Sequence, residues 1–344
     1  MQYMIETPST QRVPARRLNT GPAHTGNMAG SVSVHDENSL ETTTARHTLE
    51  NLHEDDHKKL KQVIDSDRKL YKIHWTDIFK PGTLFNKVLS RVLYPTTSTL
   101  IGKVIAAGDL VKMKEVSVPI KAYQIQTNDG HQLSVWFATN SNPEARTKIY
   151  FHGNASHIAS FTQEAIEDYK QGNNVCLMSY RGYSGNSGYP SEVGLIDDTN
   201  STLDFLIKKQ GIGTESMDFI AHSLGSAVLL NSLAKRAESN PEERYGELLL
   251  MSPFKSIRAM VKTKIKIIPQ FIISYLTNIW NNSDALAKLK NKISNLKILH
   301  GKADQLIPLK HSQDLYQEAL KLGINAELIE LDNIGHNDIR RDMQ

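Results

Sequence analysis

The sequence predicts an α/β architecture: an eight-stranded, mostly parallel sheet with helices on both faces. Three features carry this reading. Apolar runs of strand length recur from residue 116 onward. Helix-length segments separate most of them. The first two runs are joined instead by the turn Asn128–Asp129–Gly130, so the sheet opens as a hairpin before it becomes parallel.

The elements follow in order. "VSVPIKAYQIQT" (116–127) and "QLSVWFAT" (132–139) form the hairpin. Then come "KIYFHG", "NVCLMSY", "MDFIAHS", "ELLLMS", "LKILHG" and "AELIELD". Most of these read as strands buried on both faces, the mark of a parallel sheet. Helices are expected near 158–171, 191–209, 224–237, 256–290 and 309–322. Upstream, residues 1–53 are rich in Thr, Ser, Asn, Gly and His and read as a disordered tail, with a targeting segment as the alternative. Residues 54–114 read as a helical extension, and 115–344 as the main domain. Within the extension, Glu54 to Trp75 reads as a charged helix. Thr83 to Tyr94 reads as an amphipathic one, with Phe85, Val88, Leu89 and Val92 expected on one side and Lys87 and Arg91 among them. Packing on the domain and lying on an anionic membrane both suit that second helix.

Composition bounds the rest. The chain has 344 residues, 39% of them hydrophobic, enough for a substantial core. A net charge of +3 with interspersed signs gives no electrostatic case for nucleic acid. The single cysteine, Cys176, allows no internal disulfide and no cysteine metal site. The first 30 residues lack the apolar core of a signal peptide, and no run of 18 apolar residues occurs. A cytoplasmic location is expected; peripheral membrane contact and delivery into a host cell stay open.

In open parallel sheets the chemistry sits at the carboxyl ends of the strands. Every candidate falls there. "DFIAHSLGSAVLL" passes from strand to helix at Ser223, with Ala221 and Gly225 two residues to either side. A tight turn there forces Ser223 to positive φ and lifts its hydroxyl into the cleft. The alternative is a serine that caps the helix. A hydroxyl needs a base, and His336 stands just past the last strand in "LDNIGHNDI". The imidazole in turn needs a carboxylate. Asp304, in "HGKADQLIP", is the candidate; Asp332 and Asp338 beside the histidine are alternatives, as is a helix-capping role for Asp304. Two backbone N–H groups are needed for the oxyanion. Leu224 and Asn154 are expected to supply them, with Gly153 permitting close approach.

The glycine-rich "RGYSGNSG" lacks dinucleotide-binding spacing and reads as a shaped loop, with Arg181 and Asp198 paired structurally. His152, His157 and His222 lack the carboxylate or cysteine support of a metal site. No cofactor and no metal are expected.

"FHGNASHI", "SYRGYSGNSGYPSEVGLIDD", "HSLGSAV", "HGKADQLIP" and "GHNDI", in that order, resemble the alpha/beta-hydrolase superfamily. Within it they are similar to a subgroup of eukaryotic membrane-associated serine hydrolases and their bacterial relatives, some of which are protein depalmitoylases. The resemblance covers about residues 115 to 340. It implies an alpha/beta-hydrolase fold, with Ser223, Asp304 and His336 as nucleophile, acid and base and Asn154 and Leu224 at the oxyanion. It also implies an esterase, lipase or acyl-protein thioesterase type of activity, on an acyl ester or thioester of a lipid or lipidated protein. A peptidase or amidase with the same triad, and a hydrolase-fold binding protein with a weak triad, are the rivals. Three features depart from the subgroup. Ala221 replaces a glycine. Neither the N-terminal span nor the cysteine cluster carried by many members is expected here. "NDIRRDMQ" follows His336, room for about two helical turns, and that sheet edge is expected to be less covered. Between strands six and seven, Ile265, Ile267, Ile268, Phe271, Ile272 and Leu276 are candidates to line an acyl pocket.

Overall fold

A run too short for a stable helix and apolar on both faces satisfies its backbone by pairing with its own kind. The computed structural model, which describes residues 112–264 and 279–339, pairs eight strands in one sheet, with the central ones buried on both faces and the two edge strands only partly buried. They are β1 Lys121–Gln126, β2 Gln132–Ala138, β3 Thr147–Phe151, β4 Asn174–Met178, β5 Met217–His222, β6 Tyr245–Met251, β7 Ile293–Gly301 and β8 Ala326–Leu331. Their spatial order is β1-β2-β4-β3-β5-β6-β7-β8. β2 runs antiparallel to both its neighbours, and every other pairing is parallel. The helices are α1 Thr162–Lys170, α2 Glu192–Gln210, α3 Leu224–Ser239, α4 Ile257–Lys264, α5 Asn282–Lys288 and α6 Lys310–Lys321.

Side chains alternate along each strand, so the sheet separates two cores. Phe137, Ile149, Phe151, Phe219, Leu248 and Leu250 face one side, where α2, α3, α5 and α6 pack. Trp136, Tyr150, Leu177 and Ile220 face the other, where α1, Met113, Val118 and Ile339 meet them. Cys176 is buried on the first side, and burial pushes its thiol up, out of the reactive range.

Two elements differ from expectation. The first strand begins at Lys121 rather than 116. Pro119 has no N–H to give a ladder, and Ser117 sits at φ 66°, so the upstream residues turn instead. Of the helical segment expected over 256–290, the described residues hold α4 and α5, and 265–278 lie outside them. Trp280, at φ 53°, stands just before α5, and the Asn281 side chain caps that helix by accepting from the Asp284 N–H. The tail at 1–53, both helices of the extension, the apolar candidates from Ile265 to Leu276 and residues 340–344 lie outside the described residues.

Candidate active site

β5 runs straight into α3 with one residue between them. That residue, Ser223, has φ 53° and ψ −118°, a conformation that costs an L-residue about 1–3 kcal/mol. The turn is pinned where the Ser223 N–H donates to the Met251 carbonyl at 2.9 Å, at the end of β6. Close packing allows little else: a Cβ on Gly225 would collide with the Phe151 carbonyl oxygen and lie 2.8 Å from that of His152. Ala221, fully buried, is accommodated in place of glycine.

The Ser223 hydroxyl does not cap α3. It lies 3.0 Å from His336 Nε2, and His336 Nδ1 lies 2.7 Å from Asp304 Oδ2. A carboxylate only accepts, so Nδ1 carries the proton and Nε2 is left to accept from the serine. Asp304 does not cap α6 either. Its Oδ1 accepts from the N–H groups of Leu306 and Ile307, both at 2.8 Å. Burial alone would push the Asp304 carboxyl up. Hydrogen bonds from His300 and His336, the charge of His336 and the Ile307 amide outweigh it and hold the carboxyl well below the ordinary range.

The loops that carry the acid and the base meet because β7 and β8 are parallel neighbours. Gly301 ends β7, and a Cβ there would strike the Ile334 carbonyl, which accepts from the Ala303 N–H at 3.0 Å. Of the alternatives to Asp304, Asp332 turns outward to Lys302 at 2.9 Å, and Asp338 lies against Gly335.

Leu224 opens α3, where the first N–H groups have no partner within the helix. On the other flank, a Cβ on Gly153 would lie 2.9 Å from His222 Nδ1 and 3.5 Å from Ser223 Cβ, so the 153–154 loop passes close beside the serine. The Asn154 side chain accepts from the Tyr183 hydroxyl at 2.8 Å and from the Ala155 N–H at 3.0 Å, which fixes the loop from behind.

Two histidines take parts that the sequence reading did not foresee. His222, considered there only against a metal, donates from Nε2 to the His336 carbonyl at 3.0 Å, with the two rings 4.9 Å apart. It ties the base's loop to the end of β5. His300 lies buried behind Asp304. The available signal was position: one residue immediately before the serine, one four before the acid. The third unforeseen group is Tyr183. The glycine-rich loop is a shaped turn, with Gly182, Gly185 and Gly188 at φ 77°, 81° and 89°. Buried Arg181 pairs with Asp198 at 2.7 and 2.9 Å and reaches Asp129 at the hairpin tip. Burial pushes the Asp198 carboxyl up to about 6, against the pull of Arg181.

No protein-family model matches the chain. The alpha/beta hydrolase domain-containing protein WAV2 of Arabidopsis thaliana is 30% identical over 228 residues, which span 62% of this chain and 71% of that protein. The chain belongs to the alpha/beta-hydrolase superfamily. Protein bem46 of Schizosaccharomyces pombe is 31% identical over 198 residues, 57% of this chain; the match spans 64% of the yeast protein, less than two thirds of its length. An alpha-beta hydrolase from Vibrio vulnificus superposes on this hydrolase-fold chain with a TM-score of 0.60 at 19% identity, over 75% of this chain and 90% of its own. That likeness is one of fold. Among the described residues no helix is long and apolar enough to cross a membrane.

Proposed function

We propose that the protein is a serine hydrolase that cleaves a carboxylic ester or thioester through an acyl-enzyme. One observation carries this reading: an unbroken line of hydrogen-bonding distances, 3.0 Å and then 2.7 Å, runs from a strained serine through an imidazole to a buried carboxylate. In the first half-reaction Ser223 Oγ attacks the acyl carbon while His336 Nε2 takes its proton. Asp304 holds the ring's tautomer and stabilises the imidazolium that forms. The tetrahedral oxyanion is placed against the N–H groups of Leu224 and Asn154, each worth roughly a hundred- to a thousandfold in rate. His336 then returns the proton to the leaving alcohol or thiol. In the second half-reaction His336 draws a proton from water, water attacks the acyl-serine, and Ser223 leaves as the hydroxyl.

The finer reading is an apolar, fatty-acyl donor, with thioesters of acylated proteins among the substrates. The sequence resemblance supports it, together with the apolar residues between β6 and α5. The test has two stages. A fluorophosphonate probe should label the wild type and not Ser223→Ala; labelling of neither, or of both, defeats the serine-hydrolase reading. Rates on p-nitrophenyl acetate, butyrate and octanoate, with the matching thioesters, then rank the acyl group. Equal rates for acetyl and octanoyl would remove the apolar preference and leave the mechanism standing.

A further inference from the structure

The strongest group outside the three reacting side chains is a second histidine behind the acid. His300 is fully buried at the end of β7, four residues before Asp304, and both its ring nitrogens are engaged. Nε2 lies 2.8 Å from the Ile307 carbonyl and 3.4 Å from Asp304 Oδ2. Nδ1 lies 2.6 Å from Ser312 Oγ, on α6. A carbonyl only accepts, so Nε2 carries a proton. In the neutral ring Nδ1 then accepts from the Ser312 hydroxyl.

Two consequences follow for Asp304. The Ile307 N–H that donates to Oδ1 belongs to the residue whose carbonyl His300 holds, so the imidazole fixes the turn that fixes the acid. The same Nε2–H faces Oδ2, the oxygen that takes the proton-bearing nitrogen of His336. Rotation of the carboxylate about its own axis would break contacts at both oxygens. A histidine kept only to fill space would not need this arrangement; a leucine or phenylalanine would fill it without two polar atoms to satisfy.

We propose that His300, with its tautomer set by the Ile307 carbonyl and its ring held by Ser312, is a positioning residue that orients Asp304 and, through it, His336. Ser223, His336, Asp304, His300 and Ser312 thus form one line from the cleft to a helix on the sheet's covered face. This rests on the serine-hydrolase reading for its kinetic consequence, though not for its geometry.

Two measurements on the full chain test it. The first needs no turnover: ¹⁵N-NMR of histidine-labelled protein should show a buried ring protonated on Nε2 whose signal is lost in His300→Gln and altered in exchange in Ser312→Ala. A His300 ring, assigned by its loss in His300→Gln, that is protonated on Nδ1 alone overturns the proposal. The second uses p-nitrophenyl butyrate and the fluorophosphonate probe. His300→Leu should lower kcat about tenfold or more with KM nearly unchanged, the scale on which outer partners of an oriented imidazole act. His300→Gln, which keeps an N–H near the position of Nε2, should restore much of the loss. Ser312→Ala, the milder change, should lose less in the same direction and serves alone where His300→Leu does not fold. Wild-type kcat in a folded His300→Leu, or in Ser312→Ala where that is the only folded variant, overturns the proposal while leaving the serine-hydrolase reading intact. A wild type that the probe does not label defeats that reading, and the NMR result then decides the geometry by itself.

Discussion

Two aspartates, Asp304 past the carboxyl end of β7 and Asp218 near the amino end of β5, look alike by most measures. Both side chains are buried, and in both favourable partners outweigh the upward push of burial and hold the carboxyl below its ordinary range. Their partners differ. Asp218 takes Arg146 at 2.6 and 2.7 Å, Lys148 at 3.0 Å and the Glu247 N–H at 2.8 Å. The carboxylate is answered by two cations within the cluster, and its hydrogen bonds end on those groups and a backbone N–H rather than on a nucleophile. Asp304 instead gives one oxygen to an imidazole whose far nitrogen meets a serine held at positive φ. Burial and a shifted carboxyl are therefore common to a structural clamp and a candidate site. What separates them is whether the chain of hydrogen bonds ends on a group that can attack.

The largest effect should come from removing that group. Ser223→Ala should lower p-nitrophenyl butyrate turnover by on the order of 10⁴-fold or more, with an unchanged or raised melting temperature because the strained turn keeps only backbone contacts. Next, Asp304→Asn should lower kcat by about 10³- to 10⁴-fold by destabilising the productive tautomer of His336. Asp218→Asn, the matched change at the opposite end of the sheet, should leave kcat within about twofold, as expected for a group remote from the reacting atoms. Equal losses in the two asparagine variants would erase the distinction between the rims.

Smaller and structural effects sharpen it. Gly225→Ala drives a methyl into the Phe151 carbonyl and should cost about 3 kcal/mol by denaturant titration, with loss of activity as the elbow shifts. Asp218→Asn should cost about 2 kcal/mol at neutral pH by leaving Arg146 and Lys148 less well answered. Its pH dependence has a definite sign. A carboxyl held below its unfolded value of 3.8 contributes stability that is present above that pH and lost as the pH falls through the lower folded value. Melting curves between neutral and pH about 3 should therefore fall less steeply for the variant than for the wild type. A parallel fall would assign the acid sensitivity to other carboxylates.

Much of this was legible in the chain before any fold was known. Strand runs apolar on both faces gave the parallel sheet, and the Asn128–Gly130 turn gave the hairpin. Small residues around Ser223 marked a sharp bend, and φ 53° is found there. The first strand is shorter than its sequence pattern suggests, because the apolar alternation continues through Pro119, where the ladder cannot. The interruption at Trp280 within the segment 256–290 is not legible, because helical periodicity carries no information about a residue at positive φ.

What the sequence determined by itself was local: which residue types stand at the ends of which strands, and where strand gives way to helix. Propensity and periodicity act over a turn or a few residues, and they are written in the order of the side chains. Only the tertiary structure decided that His336 turns to Asp304, 32 positions away, and not to the nearer Asp332 or Asp338. It also decided that His222 and His300 stand on either side of that pair. Those choices follow from the parallel pairing of β7 with β8 and from a glycine that lets two loops touch. Contacts of that kind depend on the packing of the whole sheet, which no short window of sequence contains.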